Sequence, residues 1–423
     1  MKLQYHNIQK WTAVTLVILA LPFLLSFLYN EEKPSTKVFS LAEKQYTKML
    51  EQSADLTRYP RGGGPDGKLR YVSIKDWTGG FWPGALWYVY EFNHDEKWKA
   101  AATLWTESLE ANQYNTDHHD IGFMMNCSYG NAYRITGNEK YKAILIQSAR
   151  SLCKRFSPVT GAIQSWGEKK SLGGKNTWQY PVIIDNMMNL ELLFLATQLS
   201  GDSSFYRIAV QHAETTIKNQ LRPDYSCYHV VDYDKQTGKV LHRQTAQGYA
   251  DNSAWSRGQA WGIYGFTLCY RSTGDKKYLE TAQRMADFFL DNPSLPKDKI
   301  PFWDFNANQA GYEPDWNYDA AKFTPPPRDA AAAAIACSAL FELSDYSQKK
   351  KSKKYRNAAI AILNSLISDN YLATAGTNNN FLLKHCVGNI PMGTEVDVPL
   401  VYADYYLLEA VLRHKKMVTA PGH

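Results

Sequence analysis

At 423 residues, with 44% hydrophobic and 21% charged side chains, the chain has an ordinary globular composition and could hold one large domain or two to three smaller ones. A net charge of +6 is too mild for nucleic-acid binding; the one cationic run, Lys349 to Lys354, lies between two predicted helices and reads as a solvated loop. The aromatic load is unusual: 12 Trp and 28 Tyr offer large faces with polar tips, suited to a bulky core or to the apolar C–H faces of sugar rings.

In chain order, Lys2 and Lys10 come first, around the start of an apolar run from Trp11 to Leu28 that ends in the polar stretch Asn30 to Thr36. This pattern reads as a secretory signal or an uncleaved signal anchor plus linker over residues 1–36. It predicts a periplasmic or secreted protein, membrane-tethered through residues 11–28 if the segment is retained. No A-x-A cleavage site and no lipidation Cys follow.

From residue 37 to 423 one domain is expected. Helical periodicity dominates and alternating strand patterns are nearly absent. Twelve helices are predicted, at about 38–54, 82–92, 96–113, 120–136, 139–155, 183–200, 203–221, 252–273, 276–291, 328–346, 351–369 and 397–414. Three turns between them share a signature: Thr136-Gly137-Asn138, Ser200-Gly201-Asp202 and Thr273-Gly274-Asp275, each followed by an aromatic residue. Asn93-His94-Asp95 is a degenerate copy. Gly ends one helix in a left-handed conformation and Asp or Asn caps the next, so the two helices become antiparallel neighbours. Six such hairpins can form an open solenoid or a closed ring. Short turns lie at one end of the hairpins, whereas the other end carries long aromatic, Gly- and Pro-rich segments: 55–81, 156–182, 222–251, 292–327 and 370–396. A closed ring gathers such segments around one mouth, so the predicted fold class is all-α, an (α/α)6 barrel.

Six Cys are scattered without zinc spacing, and four sit in apolar helical patterns where a free thiol packs as a small hydrophobe. Disulfides stay open. Asp120, in His118-His119-Asp120-Ile121-Gly122-Phe123, is a candidate carboxylate or a plain helix cap. A zinc site on the adjacent histidines is a poor reading, because neighbouring residues point different ways. Asp185, in Ile183-Ile184-Asp185-Asn186-Met187-Met188, follows an apolar run, and burial there would raise its pKa as a general acid requires. Its alternative is again a cap. Two carboxylates in unlike environments are the recurring glycosidase requirement. Trp77 and Trp82 flank Gly79-Gly80, and the stretch 247–261 gathers Gln247, Trp255, Arg257 and Trp261. The planar fork of Arg suits a substrate carboxylate, with a structural ion pair as its alternative. His229 alone is an anonymous loop residue. There is no G-x-S-x-G, P-loop or dinucleotide fingerprint.

Eight motifs in order carry a resemblance: DWTGGFWPGALW at 76–87, HHDIGF at 118–123, AIQSWG at 162–167, IIDNMMNL at 183–190, SAWSRGQAWGIYGF at 253–266, PFWDF at 301–305, RDAAAAAI at 328–335 and ADYYLLEAV at 403–411. With them the chain resembles the unsaturated glucuronyl hydrolases, glycoside hydrolase family 88, over almost everything after residue 38. The resemblance implies an (α/α)6 barrel with a pocket at its mouth. It implies Asp185 as catalytic acid/base, Asp120 as second essential carboxylate, and a pocket lined by Trp77, His119, His229, Gln247, Trp255, Arg257 and Trp261. It further implies release of a Δ4,5-unsaturated uronic acid from lyase-generated glycosaminoglycan oligosaccharides of chondroitin, hyaluronan or heparin type, needing no metal or organic cofactor. An unsaturated rhamnogalacturonyl or ulvan-fragment hydrolase with the same chemistry is the alternative. A non-catalytic sugar-binding barrel is the rival class, and the presence of both Asp120 and Asp185 argues against it. Two departures from the family pattern are Ala246, where some members have His before the Gln, and the long segment 306–327, which could reshape the mouth. Lys384 and His385 could meet a sulfate. The leaving sugar and the oligomeric state are not set by the sequence.

Overall fold

The computed structural model describes residues 34–64 and 66–419, so the apolar run 11–28 lies outside the described residues. Among the described residues twelve helices follow one another: α1 (34–52), α2 (Phe81–Asn93), α3 (Glu96–Glu107), α4 (121–136), α5 (Glu139–Cys153), α6 (Asn186–Ser200), α7 (Ser203–Gln220), α8 (Ser256–Thr273), α9 (Lys276–Asp291), α10 (Ala330–Tyr346), α11 (Lys349–Leu366) and α12 (Val401–Thr419). α4 is composite, with a π turn at Asn126–Gly130 between the α segments Ile121–Met125 and Asn131–Thr136. The first helix begins at residue 34, so Pro34 to Thr36 belong to the barrel rather than to a linker.

Burial separates the helices into two layers. In α10 every residue from Ala330 to Phe341 is buried, and in α2 every residue from Phe81 to Val89. An all-round apolar helix must be covered on every side. In α3 only Trp98, Ala102, Trp105 and Thr106 are buried, and α9 likewise buries one stripe containing Tyr278, Ala282, Met285 and Phe289. The even-numbered helices therefore form an inner ring and the odd-numbered ones an outer ring. Each inner helix packs on the next, and α12 returns to pack on α2. The ring is closed.

The turn signature acts as its chemistry requires. Gly137, Gly201 and Gly274 adopt φ of 66°, 74° and 70°, and His94 takes the same left-handed conformation at 56°. Asp95, Asn138, Asp202 and Asp275 then accept the backbone N–H of Lys97, Lys140, Ser204 and Lys277 at 2.8–3.0 Å. These turns lead from an inner helix to an outer one at the closed end of the barrel. The long segments lead from outer to inner at the mouth. The Lys349 to Lys354 run is not a loop: it forms the first turns of α11, with Lys351 and Lys354 paired to Asp287 at 3.6 and 2.8 Å.

The mouth segments also hold short antiparallel sheets that the sequence pattern does not announce. Tyr59–Gly63 pairs with Leu69–Val72, Lys169–Lys170 with Thr177–Trp178, and Cys386–Asn389 with Thr394–Val398. Pro181–Ile183, Val230–Tyr233 and Val240–Gln244 make a three-stranded sheet. Asp404 seals the seam between first and last helices, accepting Tyr46 Oη at 3.2 Å and the N–H groups of Leu382 and Leu383 at 2.8 and 2.9 Å. All six cysteines are free thiols.

Candidate active site

Asp120 and Asp185 occupy equivalent places, each at the head of an inner helix, α4 and α6. Neither side chain caps its helix, although Asp95, Asp202, Asp275 and Asp329 all do. The capping alternative is thereby removed for both. Their carboxyls instead face one cavity of about 550 Å³ at the barrel mouth, whose wall also carries Trp77, Gln247 and Arg257.

Asp185 is 8% exposed, and its Oδ2 is buried without a hydrogen-bond partner. Burial pushes its carboxyl up to about 7; Arg257 pulls it down, and the Asp120 charge pushes it up again. An acid so placed still holds its proton near neutrality. For Asp120 burial also acts upward, but His119 and His118 outweigh it and hold the carboxyl below its ordinary value. His118 Nδ1 lies 3.2 Å from Asp120 and His119 Nε2 lies 3.3 Å from it. One carboxyl is protonated and the other ionised: the division that acid-catalysed glycoside cleavage needs.

The histidine tautomers follow from their surroundings. Asn189 Oδ1 accepts the N–H of Phe123 at 2.8 Å, which turns its amide nitrogen to His119 Nδ1 at 3.2 Å. His119 Nδ1 therefore accepts, and its proton sits on Nε2, toward Asp120. This contact needs helices α4 and α6 to touch, and a Cβ on Gly122 would run into Asn189. His229 Nδ1 accepts the backbone N–H groups of Ala246 and Gln247, both at 3.1 Å, so its Nε2–H points to Asp185 Oδ2 at 3.8 Å. Burial holds His119 down at about 4 and His229 well below its ordinary value, so both rings are neutral.

The residues expected on the pocket wall divide into two layers. Trp77, Gln247 and Arg257 line the cavity. His119, His229, Trp255 and Trp261 stand behind it. Trp255 packs on His229, ring centroids 4.4 Å apart and planes tilted by 34°. Trp261 packs on Phe123 at 5.1 Å and Tyr406 at 5.3 Å, and its indole favours the ionised form of Asp185. Trp82 is core, edge-on to Tyr46. The Arg257 fork is largely spent inside the protein. Its Nη1 donates to the carbonyl of Val387 and to Asp329, and its Nη2 to Gly388 O at 2.8 Å. It ties the 386–398 hairpin to the barrel wall while its charge faces Asp185. Lys384 and His385 turn elsewhere, to Asp369 O at 2.7 Å and to Asp397 at 2.6 Å.

Further wall residues are not singled out by the sequence, although Trp166 falls within the AIQSWG motif. Arg61 binds Glu395 and, at 2.7 and 2.8 Å, both oxygens of Asp76. Arg61 and Glu395 line the cavity together with Arg70, Trp166, Lys169, Trp178 and Tyr402. Segment 306–327 contributes nothing to the cavity wall; it packs behind it, with the Trp316 indole donating to Tyr249 O at 2.9 Å.

The sequence model of Glycosyl Hydrolase Family 88 matches residues 51–269. An unsaturated glucuronyl hydrolase of Formosa agariphila is 41% identical over 411 residues, covering 95% of this chain and 98% of that protein. An unsaturated chondroitin disaccharide hydrolase of Streptococcus agalactiae is 36% identical over 85% of this chain and 86% of its own length. The crystal structure of an unsaturated glucuronyl hydrolase specific for heparin superposes with a TM-score of 0.84 at 43% identity, over 92% of this chain and 99% of that one. That of the Bacillus sp. GL1 unsaturated glucuronyl hydrolase gives 0.80 at 30% identity, over 92% and 98%. With these relatives and this barrel, the chain belongs to glycosyl hydrolase family 88 and is a glycosidase of the unsaturated glucuronyl hydrolase kind.

Proposed function

We propose that the protein releases the Δ4,5-unsaturated uronic acid from the non-reducing end of lyase-generated glycosaminoglycan oligosaccharides, of chondroitin, hyaluronan or heparin type. The names of its relatives support this substrate class. One observation carries the chemistry: a single carboxyl with an unsatisfied buried oxygen, held up to about 7 and facing an ionised partner.

Asp185 delivers its proton to C4 of the C4=C5 enol ether, and the positive charge that forms is shared by C5 and the ring oxygen. The Asp185 carboxylate then takes a proton from water as its oxygen bonds to C5. The resulting C5 hemiketal opens to a ketone, leaving a hydroxyl on C1, and the C1 hemiacetal expels the leaving sugar as an alcohol. One water is consumed and Asp185 ends protonated. Asp120, ionised, accepts hydrogen bonds from ring hydroxyls and stabilises the cation. His229, neutral, aims its Nε2–H at the Asp185 side of the cavity. Trp77 offers a sugar-facing indole, backed by Tyr402 at 5.0 Å between centroids. We further infer from residues 11–28 that the protein is exported, periplasmic or secreted.

The test is a panel of unsaturated disaccharides, followed by the ultraviolet absorbance of the conjugated double bond. Loss of the signal with a glycosaminoglycan product is expected, with deuterium at C4 after turnover in heavy water. Loss only with rhamnogalacturonan or ulvan fragments would reassign the substrate, and no deuterium at C4 would refute the mechanism.

A further inference from the structure

The cavity is rimmed by cations, but most are already neutralised. Arg61 is bound by Glu395 and Asp76, Arg257 by Asp329 and two carbonyls, and Arg70 approaches Glu395 at 3.4 Å. Lys169 and its neighbour Lys170 are different: both line the same cavity and, among the described residues, neither has a carboxylate partner, but of the two only Lys169 sits on aromatic faces. Its Nζ lies 4.3 Å from the centre of the Trp166 ring and 6.0 Å from that of Trp178. Those two indoles stack at 6.2 Å. The Trp178 N–H is fixed on Gln244 at 2.8 Å, and Lys169 pairs with Trp178 across the 169–178 hairpin. From behind, Asp315 closes on Gly173 at the hairpin tip, where a Cβ would not fit. The ammonium is thus held by a built support rather than left on a free loop.

Its place along the cavity wall bears on which part of a substrate it meets. Asp185 faces His229, and the Trp166 ring stands edge-on to His229 with centroids 6.4 Å apart. Along the cavity wall, the His229 imidazole and the Trp166 indole thus stand between Lys169 and the reacting carboxyl. The unsaturated ring must lie between Asp120 and Asp185, so a group beside Lys169 belongs to the next sugar. Lysine binds such an anion as a compact point charge with three donors.

We propose that Lys169 is a specificity determinant that binds a sulfate carried by the leaving sugar. This rests on the cleavage reaction proposed above. The test compares kcat and KM of wild type, Lys169→Ala and Lys169→Arg on matched unsaturated glycosaminoglycan disaccharides with and without sulfate on the leaving sugar. Wild type should show a lower KM for at least one sulfated member. Lys169→Ala should raise that KM about fivefold, as expected for losing one solvent-accessible ion pair. Its KM for the unsulfated partner should rise by less, so that the sulfate preference is lost; circular dichroism and the unfolding midpoint should match wild type, reporting an intact fold, and Lys169→Arg should keep the preference. No wild-type preference for any sulfated member overturns the proposal. An equal KM rise for both partners also overturns it, assigning Lys169 to the uronate carboxylate or to hairpin structure. A wild type that consumes no unsaturated disaccharide overturns the parent reading, and this proposal with it.

Discussion

Replacing Asp185 by Asn should abolish turnover and, on the same physical ground, stabilise the fold in a pH-dependent way. In the unfolded chain this carboxyl ionises near 3.8, whereas in the folded protein burial holds it up to about 7. The folded state therefore binds the proton more tightly, and folding is favoured where the group is neutral. The charged group costs nothing below pH 3.8, increasingly more above it, and its full penalty once the pH passes the folded pKa. Worked from those two values, the penalty is about 1.5 kcal/mol at pH 5 and about 4 kcal/mol at pH 8. An amide cannot ionise, so Asp185→Asn removes that slope. Any mismatch of the amide NH2 in the site adds a constant offset and leaves the slope intact. Guanidinium unfolding of both proteins at pH 5 and pH 8 gives the difference: the variant should gain about 2–3 kcal/mol relative to wild type across that interval. A difference independent of pH would show that Asp185 does not hold a raised pKa, and with it the general-acid role would fall.

The same pKa sets the activity profile: kcat/KM should fall as the pH rises through about 7 and Asp185 loses its proton, and a profile flat to pH 9 would refute this. Arg61→Ala breaks the contacts to Glu395 and Asp76 that hold the 386–398 hairpin, so it should destabilise the protein by about 3 kcal/mol and raise KM more than it lowers kcat; unfolding curves and steady-state kinetics check both. Asp404→Ala leaves two buried N–H groups and the Tyr46 hydroxyl without their acceptor, for a loss of about 3 kcal/mol in denaturant unfolding. His94→Gly relieves a left-handed non-glycine turn and should raise stability by about 0.5–1 kcal/mol without changing activity.

The barrel is legible because its grammar is local. A Gly or Asn-like turn followed by an Asp cap needs only four residues to declare a hairpin, and the uninterrupted apolar runs of α2 and α10 declare an inner ring. The two-residue strands at the mouth carry no period to detect, and Val230–Tyr233 is apolar enough to read as any buried segment. The Lys349 to Lys354 run is misread as a loop because six residues with five lysines look like solvated chain, while the pairing to Asp287 comes from another helix. Asp120 and Asp185 are visible as candidates, but only the missing cap bonds decide against the structural alternative. Arg61 and Glu395 stand 334 positions apart, so nothing in either neighbourhood announces their contact. Arg257 shows the opposite error: the residue type suggests a substrate clamp, and the fold uses most of its donors to anchor a hairpin.

The manner in which His229 is aimed has a consequence for tuning the enzyme. The imidazole is steered by the main chain at positions 246 and 247, not by their side chains. Any residue except proline can supply those amides, yet the side chain at 246 lines the cavity. Selectivity can therefore drift, or be engineered, at a position beside the proposed proton donor while His229 stays in register. Ala246 is one setting of that dial, and bulkier or charged settings are open to it without redesigning the acid.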